Sequence, residues 1–188
     1  MPGQHNIYWK KLDVFCTYVT GTALDPETGK QVSHAWNIVS CDGEYYHVDT
    51  TWGDPIYMQE QKNNIVYDYL CTNDEELFRT HTIDSQIEFP ACSSLNCNYY
   101  VLNGMYYSEY DSGQILQAMK ISIDRQAEDV TFKFANETLY QGAKEEIIND
   151  IVKQAAEYLG RKYELSTVNY SWQEDDMLNK LTFMWEYQ

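Results

Sequence analysis

Positive charge is scarce in this chain: 13 Lys and Arg stand against 29 Asp and Glu in 188 residues, a net charge of −16. A surface field of that sign repels phosphate backbones and anionic headgroups, so nucleic acid is excluded as an expected partner. No run approaches 18 consecutive apolar residues, so no membrane insertion is expected, and the opening MPGQHNIYWKK has no apolar core of signal-peptide length. Cysteine is sparse and odd in number, with five residues (Cys16, Cys41, Cys71, Cys92, Cys97) that form neither a CxxC nor a zinc-type spacing. Cys92 and Cys97 share the polar loop PACSSLNCN, where they could pair in an oxidising compartment or stay as two unpaired thiols. What is plentiful is apolar and aromatic surface: 44% hydrophobic and 15% aromatic residues, with 17 tyrosines, indicate a folded chain with one core or two small lobes.

The pattern predicts an α+β fold. NIYWKKLD (6–13) has the look of the last turns of a helix, VFCTYVTGTA alternates like a strand, and LDPETGKQVS carries loop residues. Residues 35–40 and 44–50 read as two strands around Asp42-Gly43, DPIYMQEQKNN as a loop, and NDEEL as a helical turn capped by Asn73 or Asp74. The long irregular TIDSQIEFPACSSLNCN suggests a boundary, with a first domain at 1–90 and a small α+β domain at 98–188. In the latter, apolar spacing predicts helices over 112–126 and 137–159, the second stopped by Gly160. VTFKF and segments near 163–170 and 179–187 read as strands.

The stretch HAWNIVSCDGEYYHVDTTWGDP (34–55) carries the chemistry. A two-residue Asp-Gly loop is a type I′ hairpin signal, and it sets Cys41 opposite Glu44, Trp36 opposite Asp49 and His34 opposite Thr51. His34 and Asp49 then share a sheet face as diagonal neighbours, Cα atoms roughly 7–8 Å apart, whereas a three-residue loop would send them to opposite faces. A carboxylate on one ring nitrogen fixes the tautomer and makes the other nitrogen a base for a thiol or hydroxyl. A plainer account is that Asp49 caps a turn and His34 is an exposed strand-end residue. A third has His34, His47 and Asp49 as ligands of zinc or iron, since the same register puts all three on one face.

This stretch resembles the signature of the transglutaminase-like superfamily, in bacterial members of which a His-Ala-Trp-Asn strand precedes a Tyr-Tyr-x-Val-Asp-x-Thr-Trp-x-Asp segment. His34, Ala35, Trp36, Asn37, Gly43, Tyr46, Asp49, Thr51, Trp52 and Asp54 sit at the matching positions, and the likeness covers about residues 7–100. It implies a papain-like antiparallel sheet and a Cys-His-Asp triad with His34 as base and Asp49 as its orienting partner. Trp52 and Asn37 would shape the site. The implied chemistry is acyl transfer on glutamine side chains, or amide hydrolysis through a thioester, on a protein or peptide substrate and with no cofactor. Members are often exported or surface-anchored.

The family's nucleophile opens the helix that leads into the strand reading CTYVTG here, in a Gly-x-Cys-x-Gly-Tyr-like run. Counting back an ordinary helix from Cys16 puts that cysteine before Met1, so the expectation is a core truncated ahead of its nucleophile and inactive as this chain. Cys16, the one cysteine upstream of His34, has apolar strand neighbours and reads as a structural thiol. The alternative is a non-catalytic module that keeps a cleft lined by Trp36, Trp52 and tyrosines to hold a peptide or glycan. His81 and His5 read as solvated or capping residues. The tyrosines at 99, 100, 106, 107 and 110 read as packing or as a sugar platform, and Glu174–Asp176 as a solvated hairpin turn.

Overall fold

A computed structural model describes residues 15–25, 28–53, 65–84, 86 and 88–187. The expected helix end at 6–13, the loop at 54–64 and His5 lie outside the described residues. The chain divides into two units, Met1–Asn103 and Gly104–Gln188.

The first unit is a five-stranded antiparallel sheet in the order β4-β3-β2-β1-β5. Its strands are β1 (Cys16–Leu24), β2 (Gln31–Cys41), β3 (Glu44–Val48), β4 (Leu70–Thr72) and β5 (His81–Ile83). Short helical turns α1 (Thr50–Gly53), α2 (Asp74–Leu77) and α3 (Tyr99–Leu102) join and follow them. Asp42 and Gly43 both have positive φ, 52° and 83°, the type I′ geometry whose twist suits a hairpin. The register follows from it: Cys41 pairs with Glu44, Ile38 with His47 and Asn37 with Val48. β2 begins at Gln31, ahead of the expected 35, because Gln31, Val32 and Ser33 pair with Leu24, Ala23 and Thr22.

Since paired residues share a face, the registers sort this sheet into two surfaces. Val19, Gly21 and Ala23 of β1 lie on one face with His34, Trp36 and Ile38 of β2, His47 of β3, and His81 and Ile83 of β5. The other face carries Cys16, Val39, Tyr46 and Val48 as a small core, with Cys71 and Cys97 against it. Gly21 sits where β5 crosses closest: a Cβ there would stand 1.9 Å from the Thr82 carbonyl oxygen, so no larger residue fits without moving β5.

Two expectations are corrected in this unit. β5 takes in Thr82 and Ile83, the first residues of a stretch read as irregular, and α3 falls in the first unit, Met1–Asn103, where a domain was drawn from 98. Asn98 caps α3 through Tyr100 N and donates from its side chain to Leu70 O, Tyr100 Oη donates to Asp68, and Tyr99 stacks on Tyr67 at 3.9 Å. These ties bind α3 to the strand-β4 region.

The second unit packs helices on a four-stranded sheet ordered β6-β7-β9-β8. Its strands are β6 (Tyr106–Tyr107), β7 (Asp129–Phe134), β8 (Tyr170–Asp175) and β9 (Lys180–Trp185), with only β6 parallel to its neighbour β7. Its core joins Ile115, Met119 and Ile123 of α4 (Ser112–Asp124) to Phe132, Phe134, Leu181 and Phe183. The long helix is α5 (Glu137–Glu146), a π turn (Ile147–Ile151) and α6 (Val152–Tyr163) in succession.

Its buried residues Ala143, Ile147, Ile151, Ala155 and Leu159 recur every fourth position. In a 3.6-residue helix that spacing drifts about 40° per step, and a wider π turn brings the stripe back onto the sheet. Gly160 does not stop the helix, as the sequence suggested. Glu164 takes the left-handed cap at φ 53°, and Gly160 instead gives room to Val168, whose Cγ2 would lie 3.1 Å from a Cβ. Because the helix continues to Tyr163, the strand expected at 163–170 starts at Tyr170. Glu174 and Asp175 end β8 rather than forming the turn, and Glu174 and Asp176 hold Lys144 at 3.0 and 2.7 Å.

Candidate functional site

His34 and Asp49 meet: the imidazole Nε2 lies 2.6 Å from Asp49 Oδ2. Asp49 follows β3 directly, at a point where the β3–β4 register shifts between His47 and Val48, and its N–H donates to Tyr69 O. Its two oxygens do different work. Oδ1 accepts the Thr51 N–H at 2.8 Å and the Trp52 N–H at 3.4 Å, capping α1, while Oδ2 faces the histidines. Asp49 therefore both caps the turn and bonds the His34 ring. The exposed-strand-end account of His34 does not, since its side chain is 7% exposed.

A residue that the sequence reading had as solvated or capping completes the group. His81 is buried, and its Nε2 stands 3.2 Å from the same Asp49 Oδ2. Its Nδ1 lies 2.7 Å from Thr80 Oγ1, whose hydroxyl also reaches Leu77 O at 3.3 Å; when that hydroxyl donates to Nδ1 instead, His81 keeps an Nε2–H for Asp49. Burial pushes the Asp49 carboxyl up. The bonds from His34 and His81, the His34 charge and the Thr51 N–H overcome that and bring it down to about 2.

His34 is held in place by more than its carboxylate. Its ring lies flat on Trp52 at 4.6 Å and 7° and beside Trp36 at 6.3 Å, while Trp36 meets the edge of His81 at 5.1 Å. With Nε2–H on Asp49, the tautomer leaves the Nδ1 lone pair available. A cleft of about 640 Å³ with mostly hydroxyl-bearing walls, Tyr18, Thr20, Thr22, Ser33 and Thr82, opens on the other face of the sheet, since these residues alternate with those that share the His34 face.

His47 does not join this group, contrary to the ligand set expected from the hairpin register. Its Nδ1 accepts the Trp36 indole N–H at 3.0 Å and its Nε2 donates to Asp74 Oδ1 at 2.8 Å. Burial lowers its pKa, against the pull of Asp74, which favours the neutral ring. The cation-capable trio on this face is His34, Asp49 and His81, whose ligand atoms all lie within 4.8 Å of one another. Asn37, buried, donates to Thr17 O and so ties β2 to β1.

A separate cluster, Cys92, His47 and Asp74, is the one among the described residues with Cys, His and Asp together, its ligand atoms equally close, but its chemistry is blocked. Both ring nitrogens of His47 are engaged, and the buried Cys92 thiol is pushed up to about 12 by burial and by Asp74. Cys16 pairs with Val39, and Val39 and His34 alternate to opposite faces of β2, so Cys16 and His34 lie on opposite sides of the sheet. Cys41 and Cys97 lie together, away from His34, with Sγ atoms 3.6 Å apart. None of the described cysteines offers a thiol to His34.

His81 carried little signal: one histidine in a three-residue strand, far in sequence from Asp49. The alternation in THTI was the hint available. No family model matches the chain, and no curated protein matches it.

Proposed function

We propose that the first unit is a transglutaminase-like domain of the Cys-His-Asp type, with a papain-like sheet, in which His34 is the base and Asp49 its orienting carboxylate. The observation that carries this reading is the direction of the imidazole: Nε2 is bound to Asp49 at 2.6 Å, and Nδ1 is left for a proton from a nucleophile. In the reaction this supports, Nδ1 takes the proton of a thiol and the thiolate adds to a glutamine carboxamide. The protonated imidazole, stabilised by Asp49, returns the proton to the leaving ammonia, and the thioester passes its acyl group to an amine or to water.

The described residues supply the base and its partner but not the thiol. As this chain, the domain is inactive in the covalent step. A second reading, favoured by the hydroxyl-lined cleft on the sheet face opposite the His34 ring, is a peptide- or glycan-binding module.

Iodoacetamide labelling at near-neutral pH, followed by peptide mapping, tests the assignment. The expected result is that no cysteine reacts faster than a free thiol of pKa about 8.5, in the native chain or in His34→Ala. A single hyper-reactive cysteine whose rate drops in His34→Ala would overturn the inactivity and identify the nucleophile. Calorimetric titration with a glutamine-containing peptide separates the two readings: saturable binding that His34→Ala leaves intact favours the binding module.

A further inference from the structure

Outside the site, the most specific side-chain arrangement is at the far end of the hairpin, on the sheet face opposite His34. Cys41 closes β2 immediately before the type I′ turn, and Cys97 approaches it from the segment after β5, with the two sulfurs 3.6 Å apart. Cys41 is exposed and Cys97 half-buried, so the pair is open to reagents in solution.

The encounter is held from both sides. The Cys92–Asn98 segment is pinned by Asp74 N to Cys92 O at 2.8 Å and Cys92 N to Asp74 Oδ2 at 3.1 Å. Tyr46 Oη donates to Ser94 Oγ at 3.1 Å, and Asn98 N to Leu95 O at 2.8 Å. Tyr46 belongs to β3 in the same hairpin as Cys41, and Ser94 lies three residues before Cys97, so the segment and the hairpin are already joined close to the thiols.

We propose that Cys41 and Cys97 form a disulfide site, oxidised by a low-molecular-weight disulfide. A disulfide needs its sulfurs at about 2.05 Å, so the two sulfurs, 3.6 Å apart, close about 1.5 Å between them. The exposed Cys41 thiolate attacks the small disulfide, breaking its S–S bond, releasing one small thiolate and forming a mixed disulfide. The Cys97 thiolate then attacks the Cys41 sulfur and expels the second small thiolate. Two protein thiols are oxidised and one small disulfide is reduced to two thiols.

Competing pairings are disfavoured by place. Cys92 is buried beside His47 and Asp74, not beside Cys97, so the loop pairing of Cys92 with Cys97 is replaced by Cys41 with Cys97. Cys16 is buried in the small core. Both Cys71 and Cys41 are pushed up, Cys71 to about 11 chiefly by burial and Cys41 by its hydrogen bond to Cys97, but Cys41 is the exposed thiol and Cys71 is half-buried against the small core. The bridge closes a long loop and fastens the segment bonded to Asp74, which accepts from His47, itself the acceptor of the Trp36 indole.

The test is to incubate the full chain with oxidised glutathione at pH 8, count free thiols and map disulfide-linked peptides without reduction. The expected result is a fall from five thiols to three, a monomer with Cys41 linked to Cys97, and a Tm raised by more than about 5 °C over the reduced chain. Cys92→Ser should keep the link and the Tm rise; Cys41→Ser and Cys97→Ser should lose both. A link between Cys92 and Cys97, one involving Cys71, a dimer joined through Cys41, or glutathione left stably on Cys41 would each overturn the proposal.

Discussion

The two units bury different things. Among the described residues, nine buried polar side chains lie in the first unit, from Asn37 to Asn98, and three in the second: Ser122, Lys133 and Asn179. The second unit's core is a layer of aliphatic and aromatic side chains between helices and sheet. In the first unit, one sheet face carries three histidines bonded to two aspartates, and an indole that donates to one of the histidines. Apolar burial is non-directional and indifferent to protonation, whereas a buried polar layer is favourable only while each member keeps its partner. The first unit should therefore be the pH-sensitive one, and the second should answer mainly to volume.

The largest effect expected from that contrast is in the apolar unit. Phe132 is fully buried between α4 and the neighbouring strand β9, so Phe132→Ala removes its transfer energy and leaves a cavity, a loss of about 3–5 kcal/mol. Hydrogen exchange under native conditions should show lost protection in β7 and β9, of similar size at neutral and mildly acidic pH. Equal loss in β1–β3 would break the comparison, because the two units would then share one stability.

Next in size is Asp49. Its folded value of about 2 lies below its ordinary 3.8, so its contribution to stability is complete above about pH 4 and is lost as pH falls through 3.8 toward 2. The side chain is fully buried, and the difference is worth about 2 kcal/mol. Asp49→Asn removes it. Urea titrations from neutral pH downward should show wild type ahead of the variant above pH 4, with the gap shrinking through the acid limb. A gap that did not change with pH would mean that the imidazoles do not hold Asp49 as a carboxylate.

How much of this was legible in the sequence depended on how local its cause was. Asp42-Gly43 fixed the hairpin register through two positive φ angles, and the register brought His34 to Asp49. The same parity that joins that pair also separates Cys16 from His34. His81 was out of reach because its strand is three residues long and its place is set by pairing to Ala23, far away in sequence. The family resemblance named the His34–Asp49 pair but gave no reason for a second imidazole on the same oxygen. In the second unit, periodicity located α4 and the long helix, but Gly160 misled. A glycine can mark a left-handed cap or a close approach, and only the fold of the chain past Tyr163, which brings Val168 over it, distinguishes the two.

Glycine also supplies the smallest test of the comparison. Gly142 lies in the interior of α5, exposed, and a Cβ built there meets nothing within 4 Å. A helix-interior glycine costs about 0.5–1 kcal/mol relative to alanine, mostly as backbone entropy lost on folding, and here no contact or unusual φ opposes the exchange. Gly142→Ala should therefore raise stability by that amount, read as slower hydrogen exchange along α5 and the π turn, with the Asp49 acid limb unchanged. If the acid limb moved as well, helix stability in the second unit would be coupled to the buried polar layer of the first, and the division of labour between them would not hold.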